Sequence, residues 1–218
     1  MKKLLVLIAG LSFAAILGTA MFALESTPVD LRLEVSANLP LSGVDHEVTA
    51  VLLNYRGYDT LLEIAVLLLA LLGILAVMPF DRTIAPPADD PVLPILARLA
   101  IPLMVIVALY LLWAGAFKPG GAFQAGAVLG AAGVLAHLTG LVPGWHRPRL
   151  WLRSGLAAGF AVFLCVATAT LGHGAFLEYP RPLAGALILL IEATLTLSLG
   201  FCLSGLFLLL SKGEGDKS

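Results

Sequence analysis

Apolar residues in this 218-residue chain are gathered into long blocks, with the polar residues confined between them. A bilayer-spanning helix needs roughly 20 predominantly apolar residues, and about six stretches meet that need. They are Leu4 to Leu24, Leu61–Met78, Ile95–Ala116, Ala122–Leu141, Trp151–Leu171 and Pro182–Leu210, the last long enough to tilt or protrude. The pattern predicts an all-α integral membrane protein of about six transmembrane helices, two followed by four. The first block follows Lys2 and Lys3, as the apolar part of a signal peptide would. Its run of about 20 residues exceeds the usual 7–15, and Ala20–Ala23 is only a fair cleavage site, so it reads as a retained anchor.

The intervening segments are polar in different ways. Residues 25–58 mix Glu25, Asp30, Arg32, Glu34, Asp45, His46, Glu47 and Arg56 with short apolar pieces. Leu31–Val35 alternates like a short strand, and Val48 to Tyr55 is too short to span, which suits the interface. Thr83 to Pro94 holds Pro86, Pro87, Pro91 and Pro94, a run no helix can continue through. It reads as a linker (83–94) dividing a two-helix unit (1–82) from a four-helix unit (95–211), with a polar tail at 212–218. Basic residues set the orientation. With the N-terminus inside, the inner loops and ends hold Lys2, Lys3, Arg82, Arg98, Arg147, Arg149, Arg153, Lys212 and Lys217. The outer side holds Arg32, Arg56, Lys118 and Arg181. That excess agrees with six crossings and both termini cytoplasmic.

Composition supports the membrane reading. Only 12% of residues are charged and 60% are hydrophobic, whereas a soluble domain carries about 25% charged residues. A net charge of −1 gives no hint of a nucleic-acid partner. Cys165 and Cys202 fall in apolar runs, and the four histidines (His46, His137, His146, His173) lie far apart, in or beside predicted loops. No metal, haem or iron–sulfur spacing results. Ser-His-Asp, Cys-His and Walker patterns are missing too, so no enzyme active site is expected.

The informative residues are then ionisable groups that should lie in lipid, because a carboxylate at mid-bilayer costs about 2.5–3.5 kcal/mol. Glu192 lies ten residues after Pro182, about 15 Å along a helix and so near the midplane. Thr196 shares its face, with Thr194 and Ser198 nearby. It reads equally as a neutral, hydrogen-bonded link between helices or as a relay for protons or cations. A second cluster places Arg56, Asp59, Thr60 and Glu63 at i, i+3, i+4 and i+7, one face if helical. Thr60-x-x-Glu63 also fits a capping box, with Arg56 pairing to Asp59 or Glu63. Capping alone leaves unexplained why ionisable groups gather at a membrane boundary, where a polar vestibule would need them. The third feature, Pro119-Gly120-Gly121-Ala122-Phe123-Gln124-Ala125-Gly126, occupies a tight turn, and small residues continue through Gly130 to Gly133. They indicate close packing against protein, as in a subunit embedded among partners. No strand precedes the turn and no Lys-Ser/Thr follows it, so it is no phosphate loop. Six helices without an internal repeat also lack the usual carrier pattern.

These stretches carry a resemblance. Tyr55-Arg56-Gly57-Tyr58-Asp59-Thr60-Leu61-Leu62-Glu63-Ile64, continuing to Leu72-Gly73-Ile74, resembles the "RGFDTLGEI" signature at the C-terminal end of the A subunit of Mrp-type Na⁺/H⁺ antiporters. The E subunit of membrane-bound hydrogenases carries it as well. Residues 119–126 resemble the "PGGGFQGG" turn of the antiporter B subunit, and Leu190–Leu195 lies where that subunit reads "FD.GVY". Asn54 stands where the family has Asp, Leu62 and Ala122 where it has Gly, and Glu192 where it has Asp. The resemblance implies a fusion of the two units, acting in a hetero-oligomeric complex of the cell (inner) membrane. It implies Na⁺ or another monovalent cation and H⁺ as the transported ions, with no other cofactor. By position it makes Glu63 the residue of the first unit that bears on ion passage, supported by Asp59 and Arg56; Glu192, with Thr196 on its face, is the ion-pathway candidate of the second unit. A membrane-arm subunit of a redox-driven pump and a purely structural scaffold are the alternatives. The first would come with Fe–S and Ni–Fe subunits; the second predicts that neutralising Glu63 and Glu192 leaves transport intact.

Overall fold

Apolar blocks of this length can satisfy their own backbone only as helices, and that is what they form. A computed structural model of the chain describes residues 2–23, 30–77, 92–142, 150–172 and 174–210, and no strand occurs among them. By packing, the chain divides into Met1–Glu34 and Val35–Ser218. The first unit holds α1 (Lys2–Phe22) and the first turn of α2 (Leu31–Ser42). Leu31–Val35 is therefore helical, which corrects the strand expected there. Asp30 caps it: its side chain accepts the Arg32 N–H at 3.0 Å, and its carbonyl the N–H groups of Leu33 and Glu34. A period-two alternation five residues long had no partner strand to pair with, and the cap decided the matter.

In the second unit, α3 (Glu47–Ala50) runs into a π-helical turn, Val51–Tyr55. The Arg56 N–H reaches back five residues to the Val51 carbonyl at 2.8 Å. After it comes α4 (Gly57–Val77), starting four residues earlier than its apolar run suggests. The capping box is accordingly not formed. Thr60 lies inside α4, and its hydroxyl donates to the Leu52 carbonyl at 2.6 Å, tying α4 to the π turn. Asn54 donates its amide to the Ser42 carbonyl at 3.0 Å, a bond an ionised Asp could not make.

The remaining helices are α5 (Val92–Ala114), α6 (Ala122–Leu138), α7 (Leu150–Thr170) and α8 (Ala184–Leu210). Pro94, assigned above to the linker, sits in the first turn of α5, where a missing N–H leaves no helical bond unmade. Residues 78–91, most of that linker, lie outside the described residues, as do the 143–149 loop and the tail. α8 is the hub, packed against α4, α6 and α7, while α5 lies mainly against α6. Half of the apolar span of α8 is buried, against 11% for α5, so α8 is the core and α5 the rim. Leu53, Leu61, Ile64, Phe163, Ile188 and Leu195 fill the main apolar cluster. Four helices, α4, α5, α7 and α8, are long and apolar enough to cross a membrane; α6 and Leu7–Phe22 are apolar but shorter. The outward faces of these helices carry exposed Leu, Ile, Val and Phe, which suit lipid or other protein and not water.

The small residues of α6 have a specific use. A Cβ added at Gly126 would stand 2.7 Å from Leu199 Cβ, and one at Gly130 3.2 Å from Leu203 Cβ. Both glycines therefore set the close approach of α6 to α8 of the same chain. The embedding partner inferred from the sequence is, for this stripe, intramolecular. Ser204 fastens the seam by donating to the Gly130 carbonyl at 3.1 Å, and Ser198 ties α8 to α7 through the Leu156 carbonyl at 2.6 Å.

Candidate functional site

The turn from α5 to α6 ends at Gly121, whose N–H donates to the Leu111 carbonyl at 2.9 Å and whose φ is +98°. Only glycine takes that backbone conformation readily, and it aims the first N–H groups of α6 inward. Glu192, buried on α8, faces them: its Oε1 lies 3.4 Å from the Ala122 nitrogen. The bond is long, yet the N-terminal end of a helix carries partial positive charge that favours a carboxylate. A Cβ on residue 121 would come within 2.6 Å of Glu192 Oε1, so the glycine also makes room for the carboxyl group.

Glu192 borders a cavity of about 20 Å³ whose polar lining also includes Thr49, Thr60, Gly120 and Gln124. That is room for about one water molecule. Thr49 is held in place by donating its hydroxyl to the Gly115 carbonyl, and the Asp45 N–H donates to the Ala116 carbonyl at 3.0 Å. These bonds strap the α3 segment onto the end of α5. Glu192 is the ninth residue of the 27-residue α8, about 12 Å along a helix about 40 Å long. It therefore sits in the first half of α8, short of its middle.

Arg56, Asp59 and Glu63 line an open groove together with Leu62, Val66, Leu67 and Phe123. Arg56 Nε donates to Asp59 Oδ2 at 2.7 Å, and the two side chains form an ion pair. Glu63, one turn further into α4, is exposed and has no hydrogen-bond or ion-pair partner among the described residues. The structure thus gathers Arg56, Asp59 and Glu63 on one side and Glu192, Gly120 and Gly121 on the other. Phe123 borders both groups.

Two other residues stand apart. Thr196 is buried, but its hydroxyl donates to the Glu192 backbone carbonyl at 2.8 Å and is not part of the cavity lining. Pro119 is exposed in the turn, where it shapes the backbone. Sequence reasoning missed Thr49 and Gln124; Gln124 stood in the glycine turn, while nothing in Val48–Tyr55 marked Thr49. Tyr179, in the α7–α8 loop, is also buried, its hydroxyl without a hydrogen-bond partner among the described residues, and burial pushes its phenol pKa up. His137 lies inside the last turn of α6, buried, and not in a loop. Among the described residues no three His, Cys, Asp or Glu side chains cluster as metal ligands would.

Residues 92–210 match the family described as a domain related to the MnhB subunit of Na⁺/H⁺ antiporter. Among curated proteins, none matches the chain. Among solved structures, a chain of the membrane-bound sulfane sulfur reductase (MBS), an archaeal respiratory membrane complex, is similar with a TM-score of 0.73 and 23% identity. That likeness covers 96% of this chain and 97% of the other. A chain of the Mrp complex from Dietzia sp. DQ12-45-1b is similar with a TM-score of 0.65 and 24% identity, over 100% of this chain and 26% of that one. Both likenesses are of fold.

Proposed function

The chain belongs to the family of domains related to the MnhB subunit of Na⁺/H⁺ antiporters, and on that premise we propose that it is a subunit of an Mrp-type Na⁺(cation)/H⁺ antiporter complex. In this reading it lines part of the ion path and holds neighbouring subunits together, without an enzyme active site. The observation that carries it is Glu192, a buried carboxyl group beside a water-sized polar cavity in an otherwise apolar helix bundle. A carboxyl group that holds either a proton or a cation, and not both at once, is the element that exchange needs. Glu63, with the Arg56–Asp59 pair beside it, supplies an entry vestibule. The segment 1–82 is the part that resembles the A-subunit end, so the chain is read as a fusion of two units. The four long apolar helices, α6 and α1 together give six crossings of the cell (inner) membrane with both termini cytoplasmic. Partners are the other subunits and lipid; neither nucleic acid nor a cofactor beyond the transported ions is required.

The test is transport by the assembled complex reconstituted in vesicles. Glu192→Gln and Glu63→Gln should each lower antiport at least about tenfold, about 1.4 kcal/mol in barrier. Unchanged transport with the complex intact would leave this chain a scaffold. A second reading follows from the end-to-end fold match to a chain of a respiratory complex: a membrane-arm subunit of a redox-driven ion pump. Purifying the chain with its neighbours separates the two, because a redox machine brings Fe–S subunits with it.

A further inference from the structure

The groove and the cavity share one lining side chain among the described residues. Phe123 is the second residue of α6, half-buried, and among the described residues it alone lines both. On its outer side are Arg56, Asp59 and Glu63; on its inner side are Thr49, Thr60, Gln124 and Glu192. A phenyl side chain has no oxygen or nitrogen to hydrogen-bond a proton-carrying water or to replace an alkali cation's hydration shell, so it interrupts the polar lining between the two groups. The three residues before it, Gly120, Gly121 and Ala122, carry at most a methyl group, so they put no bulk of their own beside the ring. Ring reorientation is a side-chain event on a far shorter timescale than helix motion.

We propose that Phe123 is a gate that separates the Arg56–Asp59–Glu63 groove from the Glu192 cavity and, by swinging aside, connects them for a water-borne proton or a small cation. It is a positioning residue: it carries no charge and decides when Glu192 meets the groove. Gly121, two residues before Phe123, leaves room for the Glu192 carboxyl, and the Thr60 hydroxyl bond to Leu52 fixes the segment on which Asp59 stands. The proposal rests on the ion-path reading of Glu192 and Glu63, but its test does not require transport.

The experiment is amidation of carboxyl groups in the intact complex by a water-soluble carbodiimide with glycine ethyl ester, followed residue by residue by mass spectrometry. In the wild type Glu63 should react and Glu192 should lag behind it. In Phe123→Ala, Glu192 should react at least about tenfold faster, about 1.4 kcal/mol off the barrier to access, while Glu63 keeps its rate. Phe123→Leu, which trims the ring and keeps an apolar side chain, should fall between them and serves if the alanine variant does not assemble. Equal Glu192 rates in the wild type and the assembled variants would overturn the gate. If those rates differ while Glu192→Gln still transports, the gate stands and the ion-path reading fails. If Glu192→Gln abolishes transport while the rates are equal, the reading stands and the gate fails.

Discussion

Glu192 and Glu63 are the same side chain in opposite settings. Glu192 is reached only through packed protein: α6 presses on α8 through glycines, α7 is tied to α8 by Ser198, and the carboxyl group meets a cavity fit for about one water. Glu63 stands on the flank of α4 in an open groove, beside an Arg56–Asp59 pair whose side chains are 70% and 48% exposed. Around Glu192 a displacement of one atom matters at residue 121, where a Cβ would come within 2.6 Å of the carboxyl oxygen. Around Glu63 the neighbours are long side chains that can turn aside. The first setting fixes a position; the second gathers charge without fixing it.

That contrast can be broken most forcefully at the α6–α8 seam. Gly126→Leu places a branched side chain where even a Cβ would meet Leu199 at 2.7 Å and the Thr196 carbonyl at 3.3 Å. Overpacking of this kind costs about 3 kcal/mol, so the thermal unfolding temperature and yield of the complex should fall sharply. A normal melting curve would show that the seam is not rigid. A smaller effect is expected at the strap. Thr49→Val removes the hydroxyl that donates to the Gly115 carbonyl and should destabilise the complex by about 1 kcal/mol, read by chemical denaturation. The smallest belongs to the groove. Arg56→Gln breaks an exposed pair worth no more than about 0.5 kcal/mol, so stability should barely move while the salt dependence of transport changes. A stability loss as large as that of Thr49→Val would mean the groove is built as firmly as the cavity.

Helix positions were legible because an apolar block of about 20 residues has few other ways to satisfy its backbone. The ends of α4 to α8 lie within four residues of the apolar blocks that announced them, with Pro94 absorbed into the first turn of α5. Short polar stretches were another matter. Leu31–Val35 and Thr60 each fitted a local pattern, strand and capping box; the first was overruled by the Asp30 cap directly before it, a local signal that outweighed the alternation, and the second by the Leu52 carbonyl eight residues away. The π turn left no sequence sign at all. At the site, Glu192, Gly120 and Gly121 were visible as a lone charge and a glycine turn, but their meeting was not, since about 70 residues separate them. The stripe Gly126 to Gly133 announced a close approach without saying to what, because small residues record distance and not identity.

α6 has 17 residues and its neighbour α8 has 27, lengths of about 25 Å and 40 Å. A bilayer core about 30 Å thick matches neither, and the glycine seam keeps the two from sliding apart. In such a bilayer the lipid beside this pair would have to thin on one flank and thicken on the other, or α8 would have to lean. Acyl-chain length is then expected to act on the place where Glu192 sits without touching it.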